Sequence, residues 1–287
     1  MDLGFDFDYR PRPMDAAAGR AVEQLWFARG TVPYRSERIA PTGSTVVVLV
    51  LGDPLTQVAS TGSSVTSAVG LVIGPHAAPV VNEPHGETHA LGVVTTAIGC
   101  EALLGRRPSA LRGRVLEVFD VDPRLLALRE RLAALAGGGA DPVSLLDVVE
   151  DHVRATVDLT VPGLERVETA VAALVAEPRR SIATIAGDLG VSHAHLDREF
   201  ARIVGLRPRE LARLLLLRRL IEELDPLAEV RWADVAAQHG WSDQAHFSRD
   251  FKRHTGVTPR RYLEIQQAFA ASGNAGPGFS PEVDGLR

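Results

Sequence analysis

The chain has 287 residues, of which 45% are hydrophobic and 23% charged, with a net charge of −5 and a pI near 6.0, values that fit a soluble globular protein of one large domain or two. A single cysteine, Cys100, excludes an intrachain disulfide and points to a reducing compartment. The opening MDLGFDFDYRPRP has no apolar core for a signal peptide, and the longest strongly apolar run, VVVLVLG, is far short of the roughly 20 residues a membrane helix needs, so a cytoplasmic protein is expected.

Residues 1–120 read as a β-rich domain. TVVVLVL (45–51), AVGLVIG (68–74) and ALGVVTTAI (90–98) are short, rich in β-branched residues and bounded by turn residues. Residues 14–27 fit one amphipathic helix by spacing. Within this half, His76, His85 and His89 with Glu83 and Glu87 are the candidate metal set. However, HGETH places its two histidines around Gly86 and just after Pro84, a loop rather than a helix face, so no metal is expected. Cys100 reads as a core thiol.

Residues 121–157 read as a helical hairpin. Leu125, Leu126, Leu128, Leu132 and Leu135 form one apolar face, Asp122 and Asp141 are N-caps each followed by proline, and a triple glycine at 137–139 separates the two helices. The hairpin serves either core packing or a homodimer interface. Residues 158–163 read as a linker, residues 164–270 as helical throughout, and residues 271–287, rich in Gly, Pro and Ser, as a disordered tail.

The helical part repeats itself. At an offset of 51, Leu196 pairs with Phe247, Arg198 with Arg249, Phe200 with Phe251, Arg202 with Arg253, Gly205 with Gly256, Pro208 with Pro259 and Arg209 with Arg260. Upstream the offset is 50: Ala186 with Ala236, Gly190 with Gly240, Ser192 with Ser242. One extra residue therefore enters the second copy between Gly240 and Phe247. Each copy predicts a first helix, a glycine turn and a second helix capped by Ser192 or Ser242, with polar residues between the buried ones pointing outward. That is a helix-turn-helix. PRELARLLLLRRLIEEL (208–224) is a strong helix former; at ~1.5 Å per residue it spans roughly 25 Å, against the ~34 Å repeat of a major groove. Charge is uneven as well: residues 177–264 hold 15 Lys+Arg and 13 Asp+Glu, the remainder 16 and 23.

GWSDQAHFSRDFKRHTGVTPRRYL (240–263) resembles the signature of the AraC/XylS family of bacterial transcription regulators. Gly240, Trp241, Asp243, Gln244, His246, Phe247, Arg249, Phe251, Lys252, Arg253, Gly256, Thr258, Pro259 and Tyr262 carry the likeness. The first half is similar, more loosely, to a cupin-like regulatory domain found in some members. The resemblance implies an α+β protein: a β-rich domain with a helical hairpin, then an all-α domain of two helix-turn-helix units joined by a long helix. It implies base contacts by Ala194, Asp197 and Arg198 in the first unit and Gln244, Ala245 and Arg249 in the second. Ser192, Arg202, Arg207, Arg253, Thr258 and Arg260 suit phosphate contacts. Gln pairs with adenine and Arg with guanine, so Arg249→Ala is expected to weaken operator binding more than Arg198→Ala. Asp243 is expected to cap its helix rather than read a base. The implied partners are double-stranded DNA, RNA polymerase and a small-molecule effector, with no cofactor and no membrane. The rival reading is a cupin-type metal-dependent or DNA-repair enzyme fused to a DNA-binding module.

Overall fold

The computed structural model describes residues 6–14, 18–270 and 278–282. β-branched runs build the first half as β1 (Asp6–Pro13), β2 (Val22–Thr31), β3 (Ser36–Ile39), β4 (Val46–Val50), β5 (Leu55–Val58), β6 (Ser64–Ser67), β7 (Gly70–Ile73), β8 (Val80–Pro84), β9 (Thr88–Thr95) and β10 (Val115–Glu117). They form two antiparallel sheets, one in the order β1-β2-β9-β4-β7-β10. The other is β3-β8-β5-β6, extended on its β3 edge by a last strand, β11 (Phe279–Glu282). The alternation along β4 shows the layering. Val48 and Val50 join Leu55, Leu71 and Val80 between the sheets, whereas Val47 and Leu49 face the helices. One row across the second sheet is polar: Gln57 donates to Asn82, and Asn82 to the buried Glu37.

The expected helix over residues 14–27 does not form. Residues 15–17 lie outside the described residues, Ala18–Arg20 makes one turn of 3-10 helix, and β2 follows. The spacing misleads because of an irregularity in the pairing of β2 with β9 between Val22 and Gln24. That bulge places Val22, Leu25 and Trp26 at helical intervals in a strand whose two faces are both covered.

Three short helices, α1 (Gly99–Leu104), α2 (Pro108–Leu111) and α3 (Val118–Val121), lead into the hairpin α4 (Arg124–Gly137) and α5 (Pro142–Thr156). Asp141 caps α5 as expected, accepting the N–H groups of Val143 and Ser144, whereas Pro123 takes the cap position of α4 and Asp122, one residue earlier, accepts the Arg124 N–H. Leu125, Leu128, Leu132, Leu145, Val149 and Val153 pack on the outer face of the first sheet, whereas Leu126 is half-buried and Leu135 exposed, so only part of the expected apolar face is used in core packing. The segment expected as a linker is pinned at both ends. Asp158 N–H bonds Ala102 O at 2.8 Å, Leu159 and Val161 lean on the helical core, and Gly163 turns with φ 79°.

The second half is helical as expected: α6 (Leu164–Ala176), α7 (Ile182–Asp188), α8 (His193–Ile203), α9 (Pro208–Glu223), α10 (Trp232–Gln238), α11 (Gln244–Thr255) and α12 (Pro259–Ala270). The expectation of a disordered tail is corrected at its centre, while residues 271–277 and 283–287 lie outside the described residues. Phe279 to Glu282 pair with Ile39 to Ser36, Ser36 Oγ donates to Glu282, Gln266 donates to Phe279 O, and the Gly278 N–H donates to the Tyr262 hydroxyl. Composition cannot reveal a partner edge some 240 residues earlier in the chain.

Candidate nucleic-acid interface

Each repeat is built as its residues dictate. In the first unit α7 ends at Leu189 and Gly190 turns at φ 66°. Ser192 then caps α8, its hydroxyl accepting the His195 N–H at 3.2 Å. Leu196, Phe200 and Ile203 are fully buried. In the second unit Gly240 turns at φ 79°, and the cap is Asp243, not Ser242. The extra residue in this copy moves the helix start by one. Asp243 accepts the His246 N–H at 2.7 Å and Ser242 donates to the Asp243 carboxylate. The His246 N–H first, then the Ser242 hydroxyl and the charge of Arg249, hold the Asp243 carboxyl below the usual range. The core of this unit is aromatic: Phe247 lies 5.9 Å from Trp232, 5.1 Å from Trp241 and 5.6 Å from Phe251, and Phe251 lies 5.4 Å from Tyr262. The aromatic residues of the 240–263 segment are packing residues.

α9 joins the two units. Leu211 and Leu214 bury in the first core, and Leu216, Leu217, Leu220 and Ile221 in the second. At ~1.5 Å per residue its 16 residues span roughly 24 Å.

Not every polar side chain on α8 and α11 points outward, contrary to expectation. Asp250 turns inward, accepting from Trp241 Nε1 at 2.9 Å, with Arg213 Nε of α9 at 3.2 Å and His254 Nε2 at 3.6 Å. Burial works against its charge, but hydrogen bonds from His254 and Trp241 and the charge of Arg213 outweigh it, holding the carboxyl at about 2. Glu199 likewise turns sideways to Arg166 of α6 at 3.0 Å and His195 at 3.2 Å. Asp250 carried a usable signal, since a buried tryptophan N–H needs an acceptor.

Ala194, Arg198, Gln244, Ala245 and Arg249 are exposed, and Asp197 is half-exposed, 3.9 Å from His193. Among the described residues neither Arg198 nor Arg249 has a carboxylate within ion-pair distance. Arg207 and Arg253 are exposed. Thr258 Oγ1 accepts the Arg261 N–H, and Arg260 reaches Glu264 at 3.1 Å. Arg202 is differently placed: it bonds Pro162 O and lies 3.7 Å from Glu101 of the first half.

The two halves are in close contact. Loop residues 75–79 touch both units at matched positions: a Cβ on Gly205 would sit 2.9 Å from Pro108 and 3.2 Å from Pro75, and one on Gly256 2.6 Å from Arg38 and 3.3 Å from Pro79. His254 bonds Ala77 O at 2.6 Å. Arg20 pairs with Glu168 at 2.5 Å, and Arg218 with Glu23 at 2.7 Å. Beside these pairs lies a cleft of about 730 Å³, floored by Ile98, Val171, Leu211 and Leu215.

The histidines do not converge. His76 is buried against Gly74 O, His85 bonds Thr56 Oγ1 at 2.7 Å, and His89 meets the Phe27 ring edge-on. No group of three or more potential metal ligands occurs among the described residues. Cys100 is buried, its thiol pushed up by burial to about 11. No helix among the described residues is long and apolar enough to cross a membrane.

Residues 185–265 match the family model of a helix-turn-helix domain, and residues 16–117 that of a domain of unknown function, DUF6597. The probable transcription factor PqrA of Proteus vulgaris is 39% identical over 85 residues, spanning 29% of this chain and 67% of that protein. Among solved structures, ToxT from Vibrio cholerae O395 aligns over 90% of this chain and 96% of its own, with 13% identity and a TM-score of 0.46. An AraC-type regulator from Chromobacterium violaceum aligns over 36% of this chain and 93% of its own, with 27% identity and a TM-score of 0.33. The capped and repeated helix pairs, the 240–263 signature on α11 and the PqrA match agree: the chain is a DNA-binding transcription regulator and belongs to the AraC/XylS family.

Proposed function

We propose that one chain reads a single duplex with α8 and α11 in neighbouring major grooves. The observation that supports this most is the pair of exposed arginines without carboxylate partners, Arg198 and Arg249, at equivalent places in two units that share the one connector α9. In this reading Arg198 with Ala194 and Asp197 faces one groove, and Arg249 with Gln244 and Ala245 the next. Gln244 and Arg249 supply bidentate contacts to adenine and guanine, each worth ~1–3 kcal/mol of discrimination. Ser192, Arg207, Arg253, Thr258 and Arg260 take phosphates. Arg202, engaged by Pro162 O and Glu101, leaves that set.

The buried part of the hairpin's apolar face is used by the sheet, and in this reading one chain suffices for a two-groove site. The cleft between the halves is where a small molecule would couple ligand to DNA, since its walls carry the two cross-domain ion pairs Arg20–Glu168 and Arg218–Glu23. Selection of bound sequences from a random pool, followed by hydroxyl-radical footprinting, tests the core reading. Two protected segments about 10 bp apart on one face of the duplex are expected. Protection of a single groove would refute it.

A further inference from the structure

The arginines of this protein fall into two groups. Among the described residues about half pair with a carboxylate, and the others do not. Part of the second set is outside the helical units, in the sequence RRPSALRGR at residues 106–114, which has no acidic residue: Arg106, Arg107 and Arg114 have no carboxylate partner among the described residues, and Arg112 has one outside the loop. All four are exposed.

The fold brings this loop to the junction of α8 and α9. Pro108 lies against Gly205, and Arg112 reaches Glu210 in the first turn of α9 at 2.6 Å. Arg207 and Arg209, also exposed, flank Pro208 at the start of α9. Six arginines therefore meet one carboxylate partner, Glu210, in a chain whose net charge is −5. Two nearby acids are otherwise directed: Glu117 accepts from Ser67, and Glu101 faces Arg202.

The loop is also held still. Gly74 N–H bonds Arg114 O at 3.0 Å, Gly113 N–H bonds Pro75 O at 2.9 Å, and Arg106 Nε donates to Val121 O at 2.8 Å. Six like charges on one stretch of surface raise its positive potential. A polyanion is attracted to that potential, and a surface already rigid loses little entropy in meeting it.

We propose that this loop of the regulatory half is part of the DNA-binding surface. Arg107 and Arg114, with Arg207 and Arg209, hold the phosphate backbone alongside the first helix-turn-helix unit. The regulatory half then contributes contacts to DNA directly. The proposal rests on the two-groove reading above and deepens it. Phosphate contacts carry no base preference, so the probe is a fluorescein-labelled 40-bp duplex of random sequence, titrated by anisotropy with the full chain.

The Arg107→Ala/Arg114→Ala variant is expected to melt as the wild type does. Its plot of log affinity against log salt should be shallower by about 0.9 per lost contact, so that going from 50 to 200 mM salt weakens the wild type about tenfold more than the variant. Arg107→Lys/Arg114→Lys should keep the wild-type slope. An unchanged slope in the alanine variant, or the same loss in the lysine variant, overturns the proposal while leaving the two-groove reading intact. A wild type that does not bind the duplex at 50 mM salt sinks both.

Discussion

Asp250→Asn isolates the charge at the centre of the second unit. The substitution keeps size and an acceptor for Trp241 Nε1 but removes the charge that faces Arg213 and His254. The carboxyl is held at about 2 against an ordinary 3.8. At 1.36 kcal/mol per unit, reduced for partial solvent screening, the charge contributes about 1–2 kcal/mol at neutral pH. The sign follows from linkage: a depressed folded value stabilises above 3.8, and the benefit is lost as pH falls through about 2. Urea melts followed by tryptophan fluorescence should show the full gap between wild type and Asp250→Asn from pH 7 to 5. Roughly half the gap should remain by pH 3. A gap of equal size at pH 3 and pH 7, or none at pH 7, would show that the charge is not what holds α11 to α9.

Arg249→Ala should reduce binding to the selected operator by roughly ten- to a hundredfold, and Arg198→Ala by less, because the first unit's other base-facing side chains are Ala194 and the acidic Asp197. Equal losses in titrations at one salt concentration would refute that ranking. Gly205→Ala should destabilise more than Gly256→Ala. Both sites have positive φ, which costs about 1–2 kcal/mol in alanine, but Gly205 faces two prolines whereas Gly256 mainly faces the flexible Arg38 chain. Chemical denaturation of the two variants checks the order. Deleting residues 278–287 should lower hydrogen-exchange protection across Ser36 to Ile39 at least tenfold, since β3 loses its outer partner; unchanged protection there would contradict the pairing.

The two helical units were legible because local rules specify them. Gly190 and Gly240 adopt the positive φ expected of the turn glycines, Gly205 and Gly256 adopt it as well, and Ser192 caps its helix as expected. In the second unit the repeat alone points to Ser242, and the cap is Asp243, the other residue expected there. Asp250 and Glu199 were read as outward-facing by periodicity alone, whereas their partners, Arg213 and Arg166, belong to helices that the repeat does not describe. The strand after Val22 was read as helix because a bulge imitates helical spacing. The meeting of loop 75–79 with both glycine turns, and of the 106–114 arginines with α9, depends on how the halves dock. No local pattern encodes it.

β11 follows the helical half, while the rest of its sheet precedes it. During synthesis the first half emerges long before its fifth strand exists, so the β3 edge stays open while about 240 further residues are translated. Open edges invite pairing with other chains. A chain that stops short of Phe279 would keep both helix-turn-helix units and carry a permanently sticky margin, and its fault would show as aggregation before any loss of sequence recognition.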